Sequence, residues 1–237
     1  ANGYQLVPGD LKGVDYQGLM MASPANPTGT MLGRDQLGAL IETCQAQGAA
    51  FLSDEIYHGL HYEDRAVSAL ELSDDVHVIN SFSKYFSMTG WRVGWMVVPE
   101  DALEAVNIMA QNFYISPPSI AQYAALGAFE PTTLDLMEAR RAEFRQRRDY
   151  LVPALRELGF TIPHTPAGAF YVYAGIEKLA GDSEAFCWDM LERAGVAFTP
   201  GTDFGEHLAH QHVRFSYTQP LHRLELAVER LGEALAK

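Results

Sequence analysis

A single lysine follows an apolar run in the stretch NSFSKYFSMTGWRVGW, and it is a candidate for covalent chemistry. Lys84 lies three residues after Ser81 and eight residues before Arg92. A lysine amine can attack a carbonyl carbon and form a Schiff base. A hydroxyl and a guanidinium group are suited to holding a phosphate. The stretch therefore predicts a site for a carbonyl compound that carries a phosphate group.

Two further stretches add polar side chains with complementary chemistry. Asp54 and Tyr57 follow the apolar run AAFLS, and Asn26 lies in the turn-forming stretch SPANPTGT. An anion at the end of a buried strand needs a cationic partner, and the phenol and the amide can donate hydrogen bonds. An aldehyde, a phosphate, a cationic ring nitrogen and a phenolate oxygen occur together in pyridoxal 5′-phosphate (PLP). Because PLP sites pair a lysine with an acidic partner for the ring nitrogen, we predict PLP as the cofactor.

The elements around these residues indicate an α/β fold. Apolar runs predict strands at Tyr4–Val7, Gly18–Ala22, Ala49–Ser53, Val76–Asn80 and Val93–Val98. Helical spacing of apolar residues predicts a helix at Arg34–Gln47. Alternation of strands and helices, with polar residues at strand ends, is typical of a mainly parallel sheet with flanking helices. Ligands bind at the carboxyl ends of the strands in such sheets.

The second half of the chain has a different pattern. Helices are predicted at Asp101–Asn112, Ser119–Phe129, Thr133–Leu158, Ser183–Ala194 and Leu221–Leu235, and strands at Gly168–Gly175, Val196–Thr199 and Val213–Tyr217. We predict a large domain over residues 1–145 and a small α+β domain over residues 146–237. The basic centre of the long helix, ARRAEFRQRRDY, is interpreted as a solvated helix face or a surface between domains.

Composition narrows the classes of partner. The 237 residues carry a formal net charge of −13, and proteins that bind nucleic acids or anionic membranes usually show the opposite balance. No apolar run approaches the 18 residues expected of a membrane span. Cys44 and Cys187 lie far apart, which suggests a reducing cytoplasm. The spacing of His207, His210 and His212 lacks supporting ligands, so we predict no metal.

Six stretches resemble, in order, those of class I/II aminotransferases of PLP fold type I. They are SPANPTG, SDEIY, NSFSKYFSMTGWRVGW, PAGAFYVY, GVAFTPGTDFG and HVRFSY, and together they cover essentially the whole chain. Their combination is highly specific, whereas NPTG alone could be just a turn. The resemblance implies part of the fold type I large domain, followed by a small C-terminal α+β domain.

The resemblance also implies a role for each matching residue that faces the cofactor. Lys84 corresponds to the lysine that forms the Schiff base with PLP and later moves a proton. Asp54 corresponds to the aspartate that keeps the ring nitrogen protonated. The two donors to the ring oxygen O3′ correspond to Tyr57 and Asn26. The phosphate ligands correspond to Ser81 and Arg92, and Ser83 is a weaker match.

Two residues match the family's substrate site. Arg214, in HVRFSY, corresponds to the arginine that holds the substrate α-carboxylate. Gly168, in PAGAFY, corresponds to a glycine in a loop that lines the substrate pocket. The implied activity is transfer of an amino group between an α-amino acid and a 2-keto acid, carried out by a homodimer.

One departure from the family concerns the N-terminal side. Full-length members carry a long region before the stretch that resembles Tyr4–Pro8. That region supplies a substrate-covering arm, a glycine-containing phosphate loop, an aromatic residue that stacks on the ring, and a residue donated across the dimer. We therefore expect the chain to be a fragment whose sheet lacks family strands and whose activity alone is doubtful.

Alternatives remain open at this point. The same scaffold supports a PLP-dependent carbon–sulfur lyase or a synthase, because a fold does not decide the reaction. A non-catalytic PLP-binding effector domain of a transcription regulator also has this sequence pattern. Individual residues have structural alternatives: a helix cap for Asp54, packing for Tyr57, a turn for Asn26 and an ion pair for Arg214.

Overall fold

The computed structural model describes residues 3–236, and the chain divides into two compact units. Unit 1 comprises Ala1–Ala25 and Thr30–Arg141, and unit 2 comprises Asn26–Gly29 and Ala142–Lys237. The division after Arg141 lies inside the same long helix as the predicted domain boundary. The short loop Asn26–Gly29 belongs to unit 2, although both of its neighbours in the sequence belong to unit 1. The sequence does not predict that this loop belongs to unit 2.

Unit 1 contains a four-stranded sheet that is mainly parallel. Strands β1 (Gly18–Ala22), β2 (Ala50–Asp54) and β3 (His77–Ser81) run parallel in the order β1-β2-β3. Strand β4 (Gly94–Val97) pairs with β3 in the antiparallel direction. The predicted α/β class is confirmed. The parallel strands end at the same edge of the sheet, where ligands bind in α/β folds.

The helices of unit 1 begin with α1 (Arg34–Ala46), which packs on the sheet through an apolar stripe. Its buried side chains are those of Leu37, Leu40, Ile41 and Cys44, at helical spacing. Gly48 follows with a φ of +66°, a conformation that terminates helices at little cost for glycine. Further along the chain lie α2 (Leu103–Phe113), α3 (Ser119–Gly127) and the first part of α4 (Pro131–Glu157).

The strand predicted at Tyr4–Val7 is wrong, because this segment has no regular secondary structure. The backbone carbonyl of Leu6 accepts a hydrogen bond from Gln36 Nε2 at 2.9 Å, and the Gln5 side chain donates to the Met31 carbonyl. Side chains therefore satisfy polar groups that a neighbouring strand would otherwise have paired. The apolar residues of the segment still reach the core, since Leu6 packs against it.

Unit 2 contains an antiparallel sheet with the order β5-β7-β6. Its strands are β5 (Tyr171–Gly175), β6 (Thr199–Pro200) and β7 (His212–Ser216), and its helices include α5 (Ser183–Ala194) and α6 (Leu221–Leu235). Strand β5 begins at Tyr171 rather than at the predicted Gly168. Ala169 adopts a φ of +58°, which interrupts the extended backbone.

The solvated-face interpretation of the basic centre of α4 is wrong for two of its arginines. Arg147 is 8% exposed and Arg148 is 3% exposed. Arg148 Nη1 donates to the Pro166 carbonyl at 2.8 Å, and Arg147 Nη1 donates to the Thr218 carbonyl at 2.8 Å. Because each buried guanidinium caps a carbonyl of unit 2, these residues are structural anchors of that unit. Within residues 3–236, no helix is long and apolar enough to cross a bilayer.

Candidate functional site

Unit 1 brings five of the predicted site residues to the carboxyl edge of its sheet. Asp54 ends β2 and pairs in register with Ile79 of β3, two residues before Ser81. Ser81 ends β3 and pairs with Gly94, the first residue of β4. The loop between β3 and β4 carries Lys84 and Arg92, and the turn after β2 carries Tyr57, so all five lie on segments that leave one edge.

The Asp54 carboxylate has a defined orientation at the end of its strand. Its Oδ1 atom accepts a hydrogen bond from the backbone N–H of Ile56 at 3.1 Å, which closes a local turn. Its backbone carbonyl accepts from Ser23 N at 3.2 Å, just beyond the end of β1. The carboxylate is half-buried. These contacts hold an anion at the edge where a cationic ligand group would bind.

The amine of Lys84 and the phenol ring of Tyr57 are neighbours. Lys84 Nζ lies 5.5 Å from the centroid of the Tyr57 ring, within the range of a cation–π contact. Tyr57 is 4% exposed, so its ring has a fixed position. A nucleophilic amine therefore lies beside a phenol, in the arrangement expected if one ligand contacts both.

A close contact between Gly59 and Tyr85 joins the turn that carries Tyr57 to the loop that carries Lys84. Gly59 has a φ of +91°, and a Cβ atom placed on it would lie 2.5 Å from the Tyr85 ring. The Tyr85 hydroxyl donates to Glu138 Oε1 at 2.5 Å. Burial, together with this hydrogen bond, raises the pKa of Tyr85 to about 12. Only glycine permits this approach, which sets the distance between the two segments.

The hydroxyl groups after β3 form a small network. Ser83 N and Ser81 Oγ are 3.0 Å apart, as are the two serine Oγ atoms. Thr89 Oγ1 donates to the Ser83 carbonyl at 2.7 Å. Ser83 is 9% exposed. The network gives the loop a fixed shape and places a backbone N–H and two hydroxyls together, a composition suited to phosphate.

Arg92 has a strained backbone at the end of this loop. Its φ is +54°, a region that side chains other than glycine rarely adopt, and it follows the 3₁₀ turn Thr89–Trp91. Its guanidinium is exposed and donates from Nη1 to the Thr89 carbonyl at 3.0 Å. The other nitrogens of the fork retain donor capacity for an anion.

Unit 2 brings together Arg214 and Asn26. Arg214 lies on the central strand β7 and donates from Nη1 to Asn26 Oδ1 at 2.8 Å. Its guanidinium carbon lies 4.3 Å from the Tyr171 ring centroid and 4.5 Å from that of Phe204. Its Nε atom is buried and has no hydrogen-bond partner among residues 3–236. A planar cation held between two rings, with a buried donor unsatisfied, is suited to binding a carboxylate.

The loop that carries Asn26 packs closely on the loop that carries Gly168. A Cβ atom on Gly29 would lie 2.6 Å from Pro166 Cβ and 2.8 Å from the Gly168 carbonyl oxygen. The Gly29 carbonyl accepts from Gly168 N at 3.0 Å. Gly168 is buried, and its backbone N–H is committed to this contact. Its observed role is to anchor the loop, and a contact with substrate stays a prediction.

Several residues of these sites were missed by sequence reasoning. Tyr171 and Phe204 hold the Arg214 guanidinium, and Tyr85 packs on Gly59. In the turn after β2, Glu55 has a buried carboxyl group and His58 is its partner, although neither was assigned a role. The one available signal was that Glu55 lies inside SDEIY, where a second acid follows Asp54.

The donor set of unit 1 fits PLP. It offers an amine, a carboxylate, a phenol, two hydroxyls and a guanidinium group on segments that leave one sheet edge. In unit 2, Asn26 Oδ1 is used by Arg214, so the amide retains its N–H₂ group as a donor. No cluster of three or more His, Cys, Asp or Glu side chains within residues 3–236 is arranged as a metal site.

Comparisons with known proteins all identify aminotransferases as similar to this chain. Residues 9–231 match the profile of the family described as aminotransferase class I and II. The chain is 40% identical over 221 residues to valine–pyruvate aminotransferase of Mycobacterium tuberculosis, covering 92% of this chain and 57% of the relative. It is 37% identical over 244 residues to aspartate aminotransferase of Geobacillus stearothermophilus, covering 97% and 61%.

A solved structure shows the same similarity. The crystal structure of a candidate aminotransferase from Silicibacter pomeroyi superposes with a TM-score of 0.91 at 51% identity. The alignment covers 98% of this chain and 62% of that protein. The chain therefore spans about three-fifths of the length of the relatives that it matches.

Proposed function

Since the chain belongs to the aminotransferase class I and II family, whose members depend on PLP, we propose that its protein moves an amino group between an α-amino acid and a 2-keto acid. The observation that carries the proposal is the position of Lys84 Nζ beside the Tyr57 ring. The contact places a nucleophilic amine in a donor set that fits PLP. The matched relatives named above are aminotransferases, and they support the same reaction class.

Within this proposal, unit 1 holds the cofactor. Lys84 Nζ would hold its aldehyde carbon, Asp54 would pair with its ring nitrogen, and Tyr57 would donate to its ring oxygen. When bound, PLP supplies a protonated ring that withdraws electrons from the substrate Cα. Once the substrate amine has replaced it on the aldehyde carbon, the free Lys84 Nζ would accept the proton from that Cα, because the amine lies beside the ring-binding residues. Ser81, Ser83 and Arg92 bind the phosphate, and Asn26 is the second donor to the ring oxygen.

Unit 2 orients the substrate in this proposal. Arg214 binds the α-carboxylate, using donors that its contacts with Asn26 and Thr199 leave available. The rings of Tyr171 and Phe204 restrict the guanidinium to one plane, which reduces the entropy lost when a planar carboxylate binds. The carboxylate contact then fixes the direction of the Cα–H bond, which is catalysis by orientation. Gly168 is proposed to line the same pocket through its loop.

The direct test is product analysis with the protein, PLP, an amino acid donor and a 2-keto acid acceptor. Transamination predicts one new amino acid for each keto acid formed. A carbon–sulfur lyase would instead release pyruvate, ammonia and a thiol from a sulfur-containing amino acid. If PLP binds and neither product set appears, the amino-transfer proposal is wrong. Valine and aspartate are suitable first donors, because the two relatives are named for them.

We also propose a homodimer in the cytoplasm. Unit 1 exposes large apolar side chains in one run at the end of α2, with Phe113, Tyr114 and Ile115 exposed by 72%, 78% and 83%. Tyr123 of α3 is 77% exposed. Apolar surface of this size usually marks an interface. Sedimentation of the protein and of a Phe113→Ser, Ile115→Ser variant tests it. A monomeric unaltered protein would contradict the homodimer, and equal association of both proteins would contradict this interface. The free cysteines Cys44 and Cys187 support a reducing compartment.

A further inference from the structure

Two polar residues in the turn after β2 have no part in the proposed reaction. Glu55 is 3% exposed, and the His58 side chain is 17% exposed. They directly follow Asp54 and Tyr57 in the sequence, so each is adjacent to a residue proposed to contact the cofactor. Burying a carboxylate costs free energy unless it is paired and hydrogen-bonded. The partners of Glu55 therefore indicate which parts of the fold its burial stabilises.

One oxygen of Glu55 is fully occupied. Glu55 Oε1 accepts from Ala69 N at 2.8 Å, from Ser53 Oγ at 3.1 Å and from Ser68 Oγ at 3.1 Å. These donors come from β2 and from the start of the 3₁₀ turn Ala69–Glu71. The carboxylate therefore joins the turn after β2 to a segment fourteen residues further along the chain.

The other oxygen of Glu55 faces Nδ1 of His58. The partner of the second ring nitrogen, Nε2, shows which of the two nitrogens carries a hydrogen. His58 Nε2 lies 3.0 Å from the Ser23 carbonyl oxygen, which can only accept, so Nε2 carries a hydrogen. His58 Nδ1 lies 3.3 Å from Glu55 Oε2. Without a proton between them, these two atoms would face each other with lone pairs alone. A proton on either atom would make this contact a hydrogen bond.

The contact also positions the end of β1. Ser23 donates its N–H to the Asp54 carbonyl at 3.2 Å and accepts from His58 at its own carbonyl. Ser23 is 7% exposed. The backbone on both sides of Asp54 and Tyr57 is thus connected through His58 and Glu55 to two other segments of unit 1, the end of β1 and the start of the 3₁₀ turn Ala69–Glu71.

We propose that Glu55 and His58 share one proton and act as positioning residues for Asp54 and Tyr57. The part that concerns the cofactor rests on the proposed function. Burial lowers the pKa of His58, whereas the Glu55 carboxylate acts in the opposite direction. The other charged or titratable groups that act on His58 are Arg65, Glu71 and His61. Arg65 and Glu71 form an ion pair at 2.7 Å, and they act on the pKa of His58 in opposite directions.

The first test measures the proton without PLP. Nitrogen-15 NMR of the imidazole and carbon-13 NMR of the Glu55 carboxyl are recorded on the full chain at neutral pH. We expect either a protonated Nδ1 or a protonated carboxyl. In Glu55→Gln, the new amide N–H₂ donates to Nδ1 and its oxygen accepts the three other donors, so Nδ1 becomes an unprotonated acceptor. An unprotonated Nδ1 facing an ionised carboxylate in the unaltered protein would overturn the shared proton.

The second test measures positioning through PLP affinity and through the pH midpoint of the absorbance of bound PLP. Glu55→Ala removes the contacts, and we expect PLP affinity to fall about tenfold with a displaced midpoint. Glu55→Gln preserves the contacts and is expected to stay within about threefold. Glu42→Ala, on the exposed side of α1, is the control and should change neither value.

Equal effects of Glu55→Gln and Glu55→Ala, or no effect of Glu55→Ala, would overturn the positioning role. If the unaltered protein does not bind PLP, the proposed function fails, and the shared proton is still decided by NMR. If Glu55→Ala does not fold, PLP affinity and the pH midpoint are measured on the Glu55→Gln and His58→Gln variants instead. His58→Gln keeps a donor to Ser23 and should lose less affinity than His58→Leu, and equal losses would overturn the role of that contact.

Discussion

Arg214 Nη1 donates a hydrogen bond to Asn26 Oδ1 at 2.8 Å, although the two residues are 188 positions apart in the sequence. This hydrogen bond orients both side chains. It turns the amide oxygen of Asn26 toward the guanidinium, which leaves the N–H₂ group as a donor. It also occupies one arm of the guanidinium fork, so that a carboxylate must approach the remaining donors.

Asn26→Asp should therefore impair substrate binding more than it impairs folding. An aspartate at this position would pair with Arg214, neutralise part of its charge and remove the amide donors. We expect the KM for the amino acid to rise about tenfold or more. Steady-state kinetics measures it. Thr199→Val, which removes only the 3.4 Å contact of Arg214 Nη2, is the matched control and should change KM little.

Gly59→Ala should destabilise the protein, because the new methyl group would lie 2.5 Å from the Tyr85 ring in a backbone with φ +91°. We expect a loss of about 1–3 kcal/mol in the free energy of unfolding. Urea unfolding measures it. Gly38→Ala in α1, where a Cβ atom would meet nothing within 4 Å, should instead stabilise by about 0.5–1 kcal/mol. Similar stabilities of the two variants would contradict the packing described between Gly59 and Tyr85.

Arg148→Met should also destabilise, for a different reason. The substitution keeps most of the side-chain volume but leaves the buried Pro166 carbonyl without its 2.8 Å donor. An unsatisfied buried group costs about 1–3 kcal/mol. Arg145→Met, three residues earlier on the exposed side of α4, should cost less than about 1 kcal/mol. Thermal unfolding compares the two, and equal losses would show that Arg148 is not a specific anchor.

The exposed carboxylate Glu71 predicts a pH dependence. Hydrogen bonds from Arg65 and from Ser68 N lower the pKa of Glu71 to about 2, below its ordinary value of 4.5. A carboxylate with a lowered pKa stabilises the folded state above the ordinary value, and this contribution is lost as the pH falls toward about 2. Glu71→Gln should therefore be less stable than the unaltered protein at neutral pH. Unfolding curves at decreasing pH should show this difference shrinking, and a constant difference would contradict the assignment.

Local signals in the sequence were sufficient for several elements. Helix α5 was predicted with its observed bounds. In the structure, Asp182 accepts from Ala185 N at its start, and Gly195, with φ +64°, follows its end. The strands of unit 1 followed from short apolar runs. The rule that polar residues at strand ends mark a binding edge also placed Asp54 and Ser81 at the observed sheet edge.

Contacts between distant residues were not predictable in the same way. Arg147 and Arg148 were interpreted as part of a solvated helix face or a surface between domains, because a charge run says nothing about which carbonyls lie opposite. Tyr171 and Phe204 contact Arg214 only because of the folded arrangement of unit 2. The Tyr4–Val7 segment had the composition of a strand, but the Leu6 carbonyl accepts a hydrogen bond from the Gln36 side chain instead of from a neighbouring strand.

The central claim is that Lys84 binds the cofactor covalently, and one spectrum tests it most directly. The protein is mixed with PLP, and its visible absorbance is recorded before and after borohydride, with Lys84→Ala as the control. The account predicts a visible band in the unaltered protein that borohydride converts to a permanently attached product, and no such product in Lys84→Ala. A folded, unaltered protein without the band, or the same attached product in Lys84→Ala, would contradict the claim.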